Sequence, residues 1–310
     1  MESNSFSLKY RFANIPETLV DGYLKFKLLT MSRNGIEQKT FEDEDFTLNY
    51  YASEESEKPV LLFIHGFGLD AMFNWVDQLN YFAKNYRIIA ADLLWFGKSR
   101  STKDPVLDSQ REALERLLSS LNVKKVNIVG QSYGGFVATD LKLKNPNLVE
   151  KVILANNPGP TFDETTMNPL LEKYKFEKIS ELLVIKTPHE LARLFELSSS
   201  KTQYFPNFVL RQMHIRYFAD DQKEKANLLD SLVAEKSKPI QIEDLRKGDI
   251  LMVWGEKDIL FEQTEAEKFA RIINCPLTVI PNAGHVSQLD EIKAFNKVVE
   301  DFLLKDEGHK

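Results

Sequence analysis

Cysteine occurs once, at Cys275, so no disulfide can form within the chain and its stability must come from a core. The thiol is expected to pack as a small apolar group beside a strand at 277–280. No run approaches the roughly 20 apolar residues that a bilayer-spanning helix needs. The first ten residues lack the basic-then-apolar pattern of a secretory leader. A basic stripe is missing too: 40 basic and 46 acidic residues are spread along the chain, giving a net charge of −6 and arguing against nucleic acid as a partner. These absences point to the cytoplasm. Peripheral membrane contact rests on Leu19 to Met31, where Asp21, Lys25 and Lys27 interrupt an apolar stretch; the simpler expectation is a helix packed on the core. What is present is ample core material, 43% hydrophobic over 310 residues, enough for one large domain or two ordinary ones.

The most informative stretch is Ile128-Val-Gly-Gln-Ser132-Tyr-Gly-Gly135, a Gly-x-Ser-x-Gly sequence. Upstream, Val126, Ile128 and Val129 have the β-branched character of a buried strand; downstream, Phe136 to Leu143 has helical spacing until Asn145-Pro146. Ser132 therefore sits at a strand-to-helix corner, where glycines at 130 and 134 permit close backbone approach. A serine hydroxyl needs a base and an orienting carboxylate to become nucleophilic. Candidates follow two later strands: Asp258 after Ile250–Trp254, and His285 after Leu277–Ile280. His65-Gly-Phe-Gly68, directly behind the apolar run Val60–Ile64, lies where an oxyanion-hole loop would be.

With its Ser132, Asp258, His285 order, the chain resembles the α/β-hydrolase superfamily from about residue 40 to 304. The segments Thr187–Leu191 and Tyr204–Phe208 are similar to the lid of monoacylglycerol lipase-like hydrolases. The resemblance implies an α/β-hydrolase fold, with a mostly parallel eight-stranded sheet flanked by helices and an inserted helical cap. Residues 1–35 are read as an extension, 36–159 and 240–304 as the core, 160–239 as the cap and 305–310 as a disordered tail. It further implies hydrolysis of an acyl ester, with a monoacylglycerol or similar lipid as the candidate substrate, His285 as base and Asp258 as its orienter. The backbone N–H groups of Phe67 and Tyr133 would bind the oxyanion. Such chemistry requires neither metal nor organic cofactor. A carbon–carbon bond hydrolase of the same fold and a non-catalytic ligand-binding member are the alternatives. Relatives that open epoxides or dehalogenate use an aspartate nucleophile, which Ser132 argues against.

Strand and helix patterns alternate through the core, implying a parallel sheet covered on both faces, with 36–52 as an antiparallel edge around the turn Glu42–Asp45. The superfamily's Asp-x-Pro-Gly-x-Gly-x-Ser run is altered after Asp92, where Leu94-Trp95 replaces Pro-Gly. In the cap, helical patterns run over 167–183, 188–197 and 208–232 without strands. They carry Tyr174, Phe176, Phe195, Tyr204, Phe205, Phe208, Tyr217 and Phe218, a minority of which should line an acyl pocket. Among other candidates, His65 is expected to shape the oxyanion loop, His189 and His214 to lie in cap helices, His309 in the tail, and Glu256 and Asp249 in solvated turns. Phe261 stands where a proline often follows the acid, and Asp290-Glu-Ile lacks the proline often found after the histidine.

Overall fold

The alternation of apolar side chains along each strand assigns two faces to one sheet. On β3 (Val60–Ile64), Leu62 and Ile64 point to one side and Leu61 and Phe63 to the other. The same division holds on β6 (Val126–Gln131), β7 (Val149–Ala155) and β8 (Ile250–Gly255), so both faces are apolar and both must be covered. A register slip of one residue would exchange the two sets, each buried Leu, Ile or Phe being worth about 1.5–3 kcal/mol.

A computed structural model describes residues 19–305 apart from 161, 163, 203, 236–244 and 246–248. The strand order is β1-β2-β4-β3-β6-β7-β8-β9, with β1 (Ile36–Glu42), β2 (Phe46–Ser53), β4 (Arg87–Ala91) and β9 (Leu277–Ile280). Pairing is antiparallel from β1 through β2 to β4 and parallel from β4 to β9. Among the described residues the sheet has nine strands instead of the eight expected, because Arg100–Ser101 forms β5 against β2. Two residues are too few to show a periodicity.

One face is covered by α3 (Leu107–Ser120), α4 (Tyr133–Lys144) and α10 (Gln263–Ile273). The other is covered by α1 (Leu19–Arg33), α2 (Ala71–Phe82) and α12 (Ile292–Leu304), the last preceded by the short α11 (Ser287–Asp290). The helix expected near 19–31 thus packs on the core, burying Leu24 and Met31. Among the described residues, no helix is long and apolar enough to cross a membrane.

Between β7 and β8 the chain is helical. The pattern over 167–183 divides into a 3-10 turn (Glu164–Met167), α5 (Asn168–Tyr174) and α6 (Ile179–Leu183), because Lys175 turns left-handed at φ 59°. After α7 (Pro188–Ser198), the pattern over 208–232 divides into α8 (Asn207–Tyr217) and α9 (Gln222–Glu235), with Asp221 at φ 56°. Two apolar clusters hold this layer: one joins Leu194, Met213 and Tyr217 to Leu69 of the core, the other joins Met167, Leu182 and Leu197 to Phe136 and Leu260. The proposed cap boundary at 239–240, residues 1–18 and the tail from 306 lie outside the described residues.

Candidate active site

Strands β3 and β6 are neighbours, yet the chain leaves β3 toward β4 on one side and reaches β6 on the other. The crevice at the carboxyl ends of such strands is where open α/β sheets place their ligands. Ser132 stands there, immediately after β6, with φ 50° and ψ −121°. A side chain at Gly130 would put its Cβ 2.5 Å from the Gly134 carbonyl oxygen, and one at Gly134 would strike the carbonyls of Ile64 and His65. The corner is pinned by Ser132 N–H donating to the Ala155 carbonyl (2.9 Å) and by Asn157 Nδ2 donating to the Ser132 carbonyl (2.7 Å).

The turn after β8 brings Asp258, and the turn after β9 brings His285, to the same edge. His285 Nε2 lies 2.9 Å from Ser132 Oγ and its Nδ1 lies 2.9 Å from Asp258 Oδ2. With Nδ1–H donating to the carboxylate, the Nε2 lone pair faces the serine hydroxyl. The Asp258 side chain is fully covered and also accepts from Leu260 N (2.9 Å), Phe261 N (3.1 Å) and Asn156 Nδ2 (2.9 Å). Phe261, which replaces the common proline, thereby supplies an N–H that proline lacks. Its ring stands edge-on to the imidazole at 5.3 Å.

Phe67 and Tyr133 flank Ser132 from the β3 loop and from the start of α4, their rings meeting edge-to-face at 5.9 Å. His65 is fully buried and ties this loop to the next: its Nδ1 donates to the Gly66 carbonyl (2.7 Å) and its Nε2 accepts from Leu93 N (2.9 Å). Burial drives its pKa down to about 4, so above that pH the ring is neutral and structural. The Asp92 loop turns left-handed at Trp95, φ 68°, whose side chain is buried. Asp92 accepts from Asn49 Nδ2, Ala71 N and Lys98 N at 2.8, 2.9 and 3.1 Å, while burial raises its pKa. Beside it Asp70 caps α2 by accepting from Phe73 N (2.7 Å); burial and the Asp92 carboxylate push the Asp70 carboxyl up to about 7.

The other candidates stay outside the site. His189 is exposed at the start of α7 and His214 lies on α8, Asp249 pairs with Lys142 at 3.5 Å at the far end of β8, and Glu256 accepts from Asn282 N. His309 lies outside the described residues.

Sequence reasoning missed three contributors. Asn156, at φ 48° after β7, donates to Asp258 and to the Gly284 carbonyl (3.3 Å) and accepts from Ser287 Oγ (2.6 Å). Gln131 Nε2 donates to the His285 carbonyl at 3.1 Å, joining the serine and histidine loops. Buried Asp290 accepts from Ser199 Oγ (2.6 Å), Ser200 N (2.9 Å) and Gly284 N (2.7 Å), fastening the end of α7 to the His285 loop. Asn156 ends a strand whose neighbours, β6 and β8, both lead into site residues, an arrangement visible only in the sheet order.

Two cavities meet at Ser132. The larger, about 120 Å³, is lined by His285, Phe73, Leu194, Phe195 and Val286 among others; the smaller, about 40 Å³, by Tyr133, Phe136, Phe162 and Leu232 among others. No Lys, Arg, Asp or Glu lines either, among the described residues. Of the eight cap aromatics, Phe195 reaches the larger cavity, with Phe205 packed on it at 5.1 Å. Tyr174 and Phe176 instead cover Arg193, Tyr217 and Phe218 are buried, and Tyr204 and Phe208 are exposed.

Known proteins with this architecture differ in what they act on. Epoxide hydrolase 3 of Xenopus tropicalis is 24% identical over 86% of this chain and 77% of its own length. Monoacylglycerol lipase ABHD6 of Homo sapiens is 25% identical over 87% and 82%. The crystal structure of a putative lipase, lip1, from Acinetobacter baumannii AYE superposes with a TM-score of 0.80 at 22% identity, covering 93% of this chain and 97% of that one. A family model described as alpha/beta hydrolase fold matches residues 59–292, most of the sheet and the whole crevice, and the chain belongs to that family.

Proposed function

We propose that this protein is a carboxylic ester hydrolase that works through an acyl-serine intermediate. The observation that carries the reading is the hydrogen-bonded series Ser132–His285–Asp258, 2.9 Å at each step, opening onto apolar cavities. As Ser132 Oγ attacks the ester carbonyl, His285 Nε2 takes its proton, and Asp258 stabilises the imidazolium. The N–H groups of Phe67 and Tyr133 receive the oxyanion; one such donor is typically worth about 10²–10³ in rate. His285 returns the proton to the departing alcohol, and water resolves the acyl-enzyme. No step calls for a metal or organic cofactor.

Physical arguments favour esters over the chemistries of other relatives. Opening an epoxide with a serine hydroxyl would leave an alkyl ether, which water does not cleave, whereas a carboxylate nucleophile leaves a hydrolysable ester. A carbon–carbon hydrolase acting on an acidic dienoate, as one relative is named for, would have to hold a carboxylate in cavities that no Lys or Arg lines among the described residues. Monoacylglycerols are the first lipid esters to assay, given the lid resemblance. A lipid surface would be met through α1, whose Tyr23, Phe26 and Leu29 are exposed; liposome flotation that Phe26→Ser leaves unchanged would remove this assignment.

The test is hydrolysis of glycerol monoesters and simple esters from short to long acyl chains, with fluorophosphonate labelling of the same samples. Turnover and labelling that both vanish in Ser132→Ala support the reading. A folded, unlabelled native protein inert on every ester overturns it.

A further inference from the structure

We propose that the two cavities divide the ester between them, the alcohol occupying the larger lobe and a short acyl group the smaller. This rests on the ester-hydrolase reading. When the tetrahedral intermediate collapses, the bond from the carbonyl carbon to the alcohol oxygen breaks and the proton on His285 Nε2 passes to that oxygen. The alcohol must therefore lie on the imidazole side of Ser132. His285 and the following Val286 and Leu289 line the larger cavity and are absent from the smaller. Water later takes the alcohol's place, gives its proton to the same nitrogen and adds to the acyl carbon. The acyl–serine bond then breaks, and Ser132 Oγ recovers the proton.

The acyl group is left with the other lobe, walled by Tyr133 and Phe136 of α4, Ile179 of α6, Leu229 and Leu232 of α9, and Phe162. These walls suit a hydrocarbon. At about 40 Å³ against about 120 Å³, the acyl lobe is the narrower of the two. The alcohol lobe adds Asn74, Ser198 and Ser199 to its apolar walls, polar groups that suit a hydroxylated alcohol such as glycerol. The substrate class is therefore an ester of a short apolar acid with a bulkier alcohol, and among glycerol monoesters the short-chain ones.

Two substrate series separate the lobes: glycerol monoesters from acetyl to dodecanoyl, and butyrate esters of alcohols of increasing size. We expect kcat/KM to peak at a short acyl chain and fall about tenfold or more by dodecanoyl, while the alcohol series stays tolerant. Leu232→Ala and Ile179→Ala, both half-buried positions, should move the acyl optimum to longer chains and leave the alcohol profile in place. Phe195→Ala should change the alcohol profile alone. A native optimum at long acyl chains, or an acyl optimum that follows Phe195→Ala instead, overturns the lobe assignment while serine-dependent turnover upholds the ester reading. Absence of serine-dependent turnover on both series overturns both.

Discussion

Along the sheet edge, Ser132, Asp258 and His285 are set by hydrogen bonds to backbone and to one another: Ala155, Leu260, Phe261, Asn156 and Gln131 all take part. Across the cap, Leu194, Phe195 and Leu183 face the same cavities, but they are set by packing among helices, and polar ties to the core such as that at Asp290 supplement that packing. Hydrogen bonds fix direction to within fractions of an ångström, whereas apolar contacts fix shape and volume and tolerate substitution. On the proposed reading, the reacting groups lie in the part of the fold that can hold an angle, and the choice of substrate in the part that can be resized.

That contrast is broken most severely by removing the reacting groups. Ser132→Ala and His285→Ala should each lower kcat by about 10⁵–10⁶, and Asp258→Asn by about 10⁴, with the fold retained in all three by circular dichroism. Asn156→Ala withdraws one donor from the Asp258 carboxylate. As a positioning change it should lower kcat about tenfold with KM unmoved, the equivalent of about 1.4 kcal/mol; a rise in KM instead would place Asn156 in shaping the cavity. Asp290→Ala should act on the other side of the contrast, leaving buried donors unsatisfied and costing roughly 1–3 kcal/mol of stability. Denaturant unfolding reads the loss, and hydrogen exchange should locate it at 198–200. The last prediction concerns Asp70. Its raised folded-state pKa means that the protonated form is favoured in the native protein, a stabilisation present below the ordinary carboxylate range and lost as pH rises through about 7. Asp70→Asn keeps a cap acceptor without that titration. Its melting temperature relative to the native protein should therefore rise between about pH 5 and about pH 8.

That Ser132, Asp258 and His285 come together was legible because each follows a strand by a short turn, so local pattern and position coincide. The β3, β6, β8 and β9 strand ends could all be marked in this way. Asn156 could not, since an asparagine after a strand reads as a turn former, and its place between Ser132 and Asp258 arises only when β7 is seated between β6 and β8. The breaks in the cap were hidden for a different reason. Lys175 and Asp221 turn left-handed where no glycine announces it, so a helical period appears to continue through them. Trp95 does the same in the Asp92 loop, at the position where the superfamily often has glycine. Which cap aromatic reaches the cavity depends on helix-to-helix packing over long separations, and periodicity carries no information about it.

Asp290 links cap to core through serines at 199 and 200 and a glycine amide at 284, groups that lie far apart along the chain. This sets the limits within which the protein can be recombined. A cap exchanged between two members of the family at 160 and 239 would carry the serines and leave their acceptor behind. An exchange that also takes the segment 282–291 would transfer both halves of the fastening. The His285 loop and the cap are in this sense a single transplantable block, although the strands β8 and β9 lie between them in the chain.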